Sequence, residues 1–199
     1  MENRFNLIDE PWIPVADHDR ASLRDIFSNP ELRSLGGNPV EKIALLKLLL
    51  AIAQAAATPE DDHTWRTMGA DGLAQKCRDY LQQWHERFWL YGERPFLQMP
   101  AISAATQASY GALAPWVATG NTTVLNDGQV SSIPDDATKA LLLLCQMAFP
   151  LGGKKTDNSV TLSPGYAGKK NDKGKPSSGR AGPAVGHMGL LHSFLVGTS

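Results

Sequence analysis

Phe5-Asn6-Leu7-Ile8-Asp9-Glu10-Pro11-Trp12-Ile13-Pro14-Val15 is the stretch on which the fold turns. Two short apolar stretches flank an Asp-Glu-Pro turn, which predicts a small antiparallel pair of strands. Pro11 and Pro14 have no N–H to donate, so the second strand is confined to a sheet edge. Leu23 to Phe27 fits either a short helix or a further strand. Strongly periodic patterns appear only later, and they are helical.

The first begins at Asn38, which can N-cap a helix with Pro39 in the first helical position and Glu41 closing a capping box. Ile43, Leu46, Leu50 and Ala53 recur at helical spacing among further leucines, so the helix reads as apolar on most sides and buried. Thr58-Pro59-Glu60-Asp61-Asp62 ends it. A second helix is predicted over about 71–89. Leu73, Cys77, Tyr80, Leu81, Trp84 and Phe88 form its apolar stripe, with Lys76, Arg78, Gln82 and Glu86 off it. Gly92 and Pro95 close it, and Pro95 to Pro100 reads as an extended segment that docks an aromatic ring. A third helix spans about 134–149, with Asp135 and Asp136 suited to the positive end of the helix dipole. Its inward residues are Leu141, Leu144, Cys145 and Ala148, and Pro150 stops it.

From Gly152 the composition changes. Residues 154–182 hold seven basic and two acidic side chains, about +5, so the rest of a chain whose net charge is −1 sums to about −6. Gly, Ser, Lys and Pro dominate there, the composition of a flexible basic loop. Residues 183–199 turn apolar again, as at the start of a further core element that is cut short. The reading is therefore three regions: a mixed domain over 1–153, a basic loop over 154–182 and that unfinished element.

Several classes drop out. Cys77 and Cys145 have no second Cys or His at metal-ligand spacing, so no zinc ribbon or disulfide framework is expected, and two reduced thiols fit a cytoplasmic protein. The N-terminus lacks the apolar stretch of a signal peptide. The apolar run from Ile43 to Ala57 is too short to span a bilayer. His18, His63, His85, His187 and His192 are scattered without HExxH, GxSxG or Cys–His signatures, which favours structural or surface roles over metal binding. Adjacent carboxylates on a helix diverge by about 100°, so Asp61 with Asp62 and Asp135 with Asp136 are helix-start residues and not acid–base pairs. No catalytic constellation, metal site or cofactor is called for.

Gly152-Gly153-Lys154-Lys155-Thr156 tempts a P-loop reading, which fails. Ala148 stands where the first glycine belongs, Lys155 fills the Ser/Thr slot, and the segment follows a helix where a P-loop follows a strand. What remains is a helix terminator leading into a solvated loop, or a nucleic-acid contact, since lysine-rich loops neutralise phosphates. Thr119-Gly120-Asn121-Thr122-Thr123 has the small polar residues of a turn. Residues alone thus give a mixed helical domain with a basic, glycine-rich loop.

Four segments in order resemble one family, the large CasA subunit of the type I-E CRISPR Cascade complex. Leu7 to Val15 looks like its N-terminal signature. Arg87-Phe88-Trp89-Leu90 with Arg94-Pro95-Phe96-Leu97-Gln98 is similar to a second segment. Ala118 to Leu125 resembles a loop usually written Ala-Ser-Gly-Asn-Asn, and Ala137 to Gly153 a helix followed by a glycine loop. The resemblance implies an α+β domain of irregular fold, with several helices and short antiparallel strands, and it implies that the family's C-terminal four-helix bundle is absent from this chain.

By the same resemblance the protein is no enzyme. Guide pairing reads the target sequence while the protein reads a short adjacent motif, the PAM, in double-stranded DNA and helps to open the duplex. Implied partners are target DNA, crRNA, the other Cascade subunits and a recruited helicase–nuclease that does the cutting; no membrane is involved. Gly152 and Gly153 carry over as the PAM loop, and Thr119, Gly120, Asn121 and Thr122 as a loop near the crRNA 5′ end. Lys154 and Lys155 are added as phosphate contacts, and after them Lys169, Lys170, Lys173, Lys175 and Arg180. Thr122 departs from the family's second Asn, and two glycines stand where some members have three. A structural subunit that touches only crRNA or protein is the rival reading, and a stand-alone enzyme the third.

Overall fold

The computed structural model describes residues 2–98 and 134–149. Strand β1 (Arg4–Asn6) is followed by β2 (Ile13–Pro14), β3 (Arg20–Ala21) and helices α1 (Leu23–Ser28), α2 (Pro39–Ala56) and α3 (Asp62–Gln83). A 3-10 turn (His85–Arg87), strand β4 (Trp89–Tyr91) and helix α4 (Asp136–Ala148) complete the described elements. The class is α+β, as expected.

The two N-terminal stretches do not pair with each other, contrary to the sequence reading. β1 runs antiparallel to β4, with Asn6 opposite Trp89, and β2 runs antiparallel to β3, with Ile13 opposite Ala21. The physical reason lies between them. The Asn6 carbonyl accepts from the N–H groups of both Asp9 and Glu10, so the chain turns tightly after β1 and buries Leu7 and Ile8. Trp12 is buried too, its indole N–H satisfied by the Leu7 carbonyl at 2.9 Å. Pro14 does sit in a two-stranded sheet, and on the side away from β3 its carbonyl accepts from the Gly36 N–H at 2.8 Å. Leu23 to Phe27 resolves as helix: Ser22 and Asp25 close a capping box around the start of α1.

α2 starts as predicted. Asn38 Oδ1 accepts from the N–H groups of Val40 and Glu41, and Glu41 reaches back to the Asn38 N–H at 2.8 Å. The buried face is another matter. Ala44, Leu45, Leu48, Ala51 and Ile52 enter the core, whereas Ile43, Leu46 and Leu50 are 47%, 60% and 40% exposed. The stripe read from spacing is thus the outer one.

α3 begins at Asp62, well before the expected start near residue 71, with Asp61 as its N-cap. Gly69, at φ 62 and ψ −177, breaks the helical path inside it, a left-handed conformation that only glycine adopts without strain. Helix gives way at Gln83, so Trp89 lies in a strand and not at a helix end. Of the predicted stripe, Cys77, Leu81 and Phe88 are buried, while Trp84 is exposed. The core gathers these residues with the buried faces of α2 and α4 and the Leu7–Trp12 turn.

Candidate nucleic-acid interface

Every candidate nucleic-acid residue lies outside the described residues: Thr119 to Thr122, Gly152 to Lys155, and Lys169, Lys170, Lys173, Lys175 and Arg180. The regions 154–182 and 183–199 lie outside them as well. What is described is the framework that delivers the chain to these positions, and above all α4.

α4 is held at both ends. At its start Asp135 accepts from the Thr138 N–H at 2.8 Å and pairs with Arg20 at 2.8 Å. Thr138, and after it Arg20, hold the Asp135 carboxyl down at about 2. Asp136 pairs with Arg4 at 3.0 Å and accepts from the Tyr91 hydroxyl at 3.0 Å, while the Arg4 guanidinium lies over the Tyr91 ring. Burial, together with this bond to Asp136, raises the Tyr91 phenol. At the other end Lys47 Nζ donates to the Ala148 carbonyl at 3.1 Å and sits 4.7 Å from the centre of the Phe149 ring. A cation there suits the negative end of the helix dipole. Ala137, Ala140, Leu141, Leu144 and Cys145 pack the helix inward. The chain therefore leaves α4 at a fixed point, Phe149, three residues before Gly152.

The other departure point is Gln98. The Phe96 ring stacks on Phe88 at 5.2 Å, which is the docked aromatic expected from the Pro95–Pro100 segment. The backbone is turned there, not extended: the Gln98 N–H bonds to the Pro95 carbonyl and Leu97 has φ 52. The Gln98 side chain donates to the Leu90 carbonyl at 2.7 Å, tying the turn to β4.

A polar network fixes the Leu7–Trp12 turn to the end of α3. Asp9 accepts from His85 Nε2 at 2.6 Å through one oxygen and from Arg24 through the other. His85 Nδ1 faces Glu86 at 3.3 Å. Burial pushes the Asp9 carboxyl up, but His85 and Arg24 together hold it below its usual range. His85 is raised, first by Asp9. With both ring nitrogens facing carboxylates, the arrangement favours imidazolium, which suits a staple and not a general base. Cys77 and Cys145 are buried, and that burial pushes their thiols up to about 11 and about 12, far from nucleophiles. Among the described residues no cluster could hold a metal ion, and no helix is long and apolar enough to cross a membrane.

Three framework residues escaped the sequence reading: Arg4, Arg20 and Lys47. Lys47 had a signal, a lone cation inside the apolar run of α2. Arg4 and Arg20 had none, because their partners are more than a hundred residues away.

The fold and framework define an α+β protein whose described residues tie the start of α4 to the N-terminal strands and its end to α2. Comparison with known proteins then gives the family. The sequence model of the family described as CRISPR-associated protein Cse1 matches residues 6–196. CRISPR-associated protein CasA/Cse1 of Thermus thermophilus is 36% identical, over 75% of this chain and 32% of its own. The crystal structure of Thermobifida fusca Cse1 shares the fold at a TM-score of 0.63 with 29% identity, covering 76% of this chain and 31% of that one. A chain of a structure titled "CRISPR RNA-guided surveillance complex" shares it at 0.56 with 21% identity, over 72% and 34% of the two chains. The chain belongs to the Cse1 (CasA) family, and it spans about a third of the length of these relatives.

Proposed function

We propose that this chain is a nucleic-acid-binding subunit of an RNA-guided CRISPR surveillance complex, that it recognises the PAM in double-stranded target DNA and helps to start duplex opening, and that it is not an enzyme. Its family membership and the surveillance-complex structure that shares its fold support this reading. The observation that carries it is the double clamp on α4. Arg4 and Arg20 hold one end and Lys47 the other, so the helix is a rigid base ending three residues before the glycine pair. A reading loop needs such a base, because base edges are distinguished over fractions of an ångström.

In this proposal Gly152 and Gly153 bring bare backbone to the edges of base pairs in the minor groove, where a side chain would not fit. Lys154 and Lys155 neutralise neighbouring phosphates, with Lys169, Lys170, Lys173, Lys175 and Arg180 adding sequence-independent attraction from the loop 154–182. Thr119, Gly120, Asn121 and Thr122 contact nucleic acid near the crRNA 5′ end. The protein acts in the cytoplasm with crRNA, the other subunits and a separate helicase–nuclease that cleaves. Minor-groove patterns are degenerate, so several PAM sequences are tolerated.

The test is duplex binding by the assembled complex, comparing wild type with Gly152→Asp/Gly153→Asp on PAM-bearing and PAM-free targets at two salt concentrations. The expected result is loss of PAM discrimination with crRNA assembly intact. Unchanged discrimination would leave the glycines as a helix terminator and the chain as a structural subunit. A library selection that returned one invariant PAM would contradict the minor-groove reading.

A further inference from the structure

The two parts of α3 on either side of Gly69 are anchored unequally. Residues 70–83 belong to the core: Cys77 and Leu81 are buried, Leu73 and Tyr80 pack against the core, and Arg78 donates to the Phe27 carbonyl. Residues 62–67 are all exposed, with Trp65 at 53%, and Met68 is half-buried. The side-chain hydrogen bonds here are local: the Thr64 N–H donates to Asp61 at 2.7 Å and the Thr67 hydroxyl to the His63 carbonyl at 2.9 Å. Among the described residues, no hydrogen bond or ion pair joins 62–68 to another element. A helix shorter than about 12 residues is marginal without tertiary support, so this two-turn piece is weakly held.

Crowding does not impose the bend. A Cβ added at Gly69 would meet nothing within 4 Å, so glycine is there for its backbone angles alone. The pair φ 62 and ψ −177 lies in a region that residues with side chains avoid. Met68 does reach across the bend to Gly72, where a Cβ would come within 3.0 Å of Met68 Cγ. A flexible thioether chain makes that a soft tether. Glycine also adopts right-handed helical angles with ease, and those would carry the axis of 70–83 straight on through 62–68.

We propose that Gly69 is a joint and residues 62–68 an arm with two positions, the bent one and one in which 62–83 forms a single straight helix. Length permits the movement. The arm is about 10 Å long, and residues 57–61, which tether it to α2, span up to roughly 17 Å. The arm therefore turns without displacing α2 or the core. Composition favours the movement as well. Residues 69–72 read Gly-Ala-Asp-Gly, two glycines within about one turn, which weakens the helix at the joint. Pro59 keeps α2 from continuing into the arm. The swing carries the exposed Trp65 ring to a new place relative to a core that stays intact.

A pair of spin labels in the 199-residue chain tests this. Cys77 and Cys145 are buried, so labels attach at Thr64→Cys on the arm and Gln82→Cys beyond the joint, both at exposed positions. The two sites are 18 residues apart, about five full turns, so on a straight helix they face the same way with about 27 Å between their Cα atoms. Pulsed electron–electron distance measurements on the Gly69 chain are expected to show two populations, one near this length and one shorter. Gly69→Ala should remove the shorter population, because alanine is excluded from the bent angles. It should leave the urea midpoint no lower, because the added methyl meets no neighbour. A single distance in the Gly69 chain overturns the proposal: a short one makes the bend a rigid elbow, and a long one leaves the bent position unpopulated. A short distance that persists in Gly69→Ala, or a lowered urea midpoint, overturns it too, by showing that packing and not glycine sets the bend.

Discussion

α2 and α4 are both leucine-rich helices against the same core, yet their sequences disclose their orientation unequally. In α4 four consecutive leucines run round the helix, but the apolar residues are weighted to one side, and Leu141, Leu144 and Cys145 are buried with Ala148 packed against the core, as their spacing predicts. In α2 the apolar residues run nearly all the way round, and the buried arc is the one through Leu45 and Leu48, not the one through Leu46 and Leu50. Spacing identifies a core face only when a polar face exists to contrast with it. Where it does not, a lone charge is the better guide: Lys47 sits between the two arcs and marks the contact with the end of α4.

Alanine substitutions test this contrast most severely. Leu45→Ala in α2 and Leu144→Ala in α4 should each cost about 2–5 kcal/mol in urea unfolding, while Leu46→Ala should stay within about 0.5 kcal/mol. Comparable losses for Leu45→Ala and Leu46→Ala would mean that the buried arc is misassigned. Next in size is Lys47→Met, which keeps the aliphatic stem and removes the charged donor to the Ala148 carbonyl. A loss of about 1.5–3 kcal/mol is expected, with faster hydrogen exchange in the last turn of α4; exchange confined to α2 would show that Lys47 does not fasten the two helices together.

The caps come third. Asn38→Ala and Asp135→Ala should each cost about 1 kcal/mol, and they separate by pH. The Asp135 carboxyl falls from 3.8 unfolded to about 2 folded, so its contribution is full above 3.8 and disappears as pH drops through about 2. Asn38 carries no titrating proton. A carboxyl titration by NMR that finds Asp135 at its ordinary value would remove this difference between the caps. The effect is the smallest of the set, because the side chain is 60% exposed and solvent screens it.

Local chemistry was the legible part of this fold. The Asn38-Pro39-Glu41 start of α2, the carboxylates opening α4 and the stop before Pro150 all act within one helical turn. The sheets were illegible because their strands are two or three residues long and their partners remote, and Phe5 in β1 adopts φ 60, which no local signal announces. The first turns of α3 were hidden by Gly69, which interrupts the helical path where periodicity would be counted. For the candidate site, the sequence pointed to the departure point at the end of α4, but the clamps that steady it depend on pairings such as Arg4 with Asp136 that no window of sequence contains.

The pairing of Asn6 with Trp89 also has a consequence in time. A ribosome adding 5–20 residues per second needs roughly 4–17 s to travel from one to the other. Throughout that interval the Leu7–Trp12 turn has neither the strand nor the His85 carbonyl on which Asn6 Nδ2 closes. The first segment of the chain to be made is thus among the last to be secured, and its apolar residues wait in the open until the end of α3 emerges.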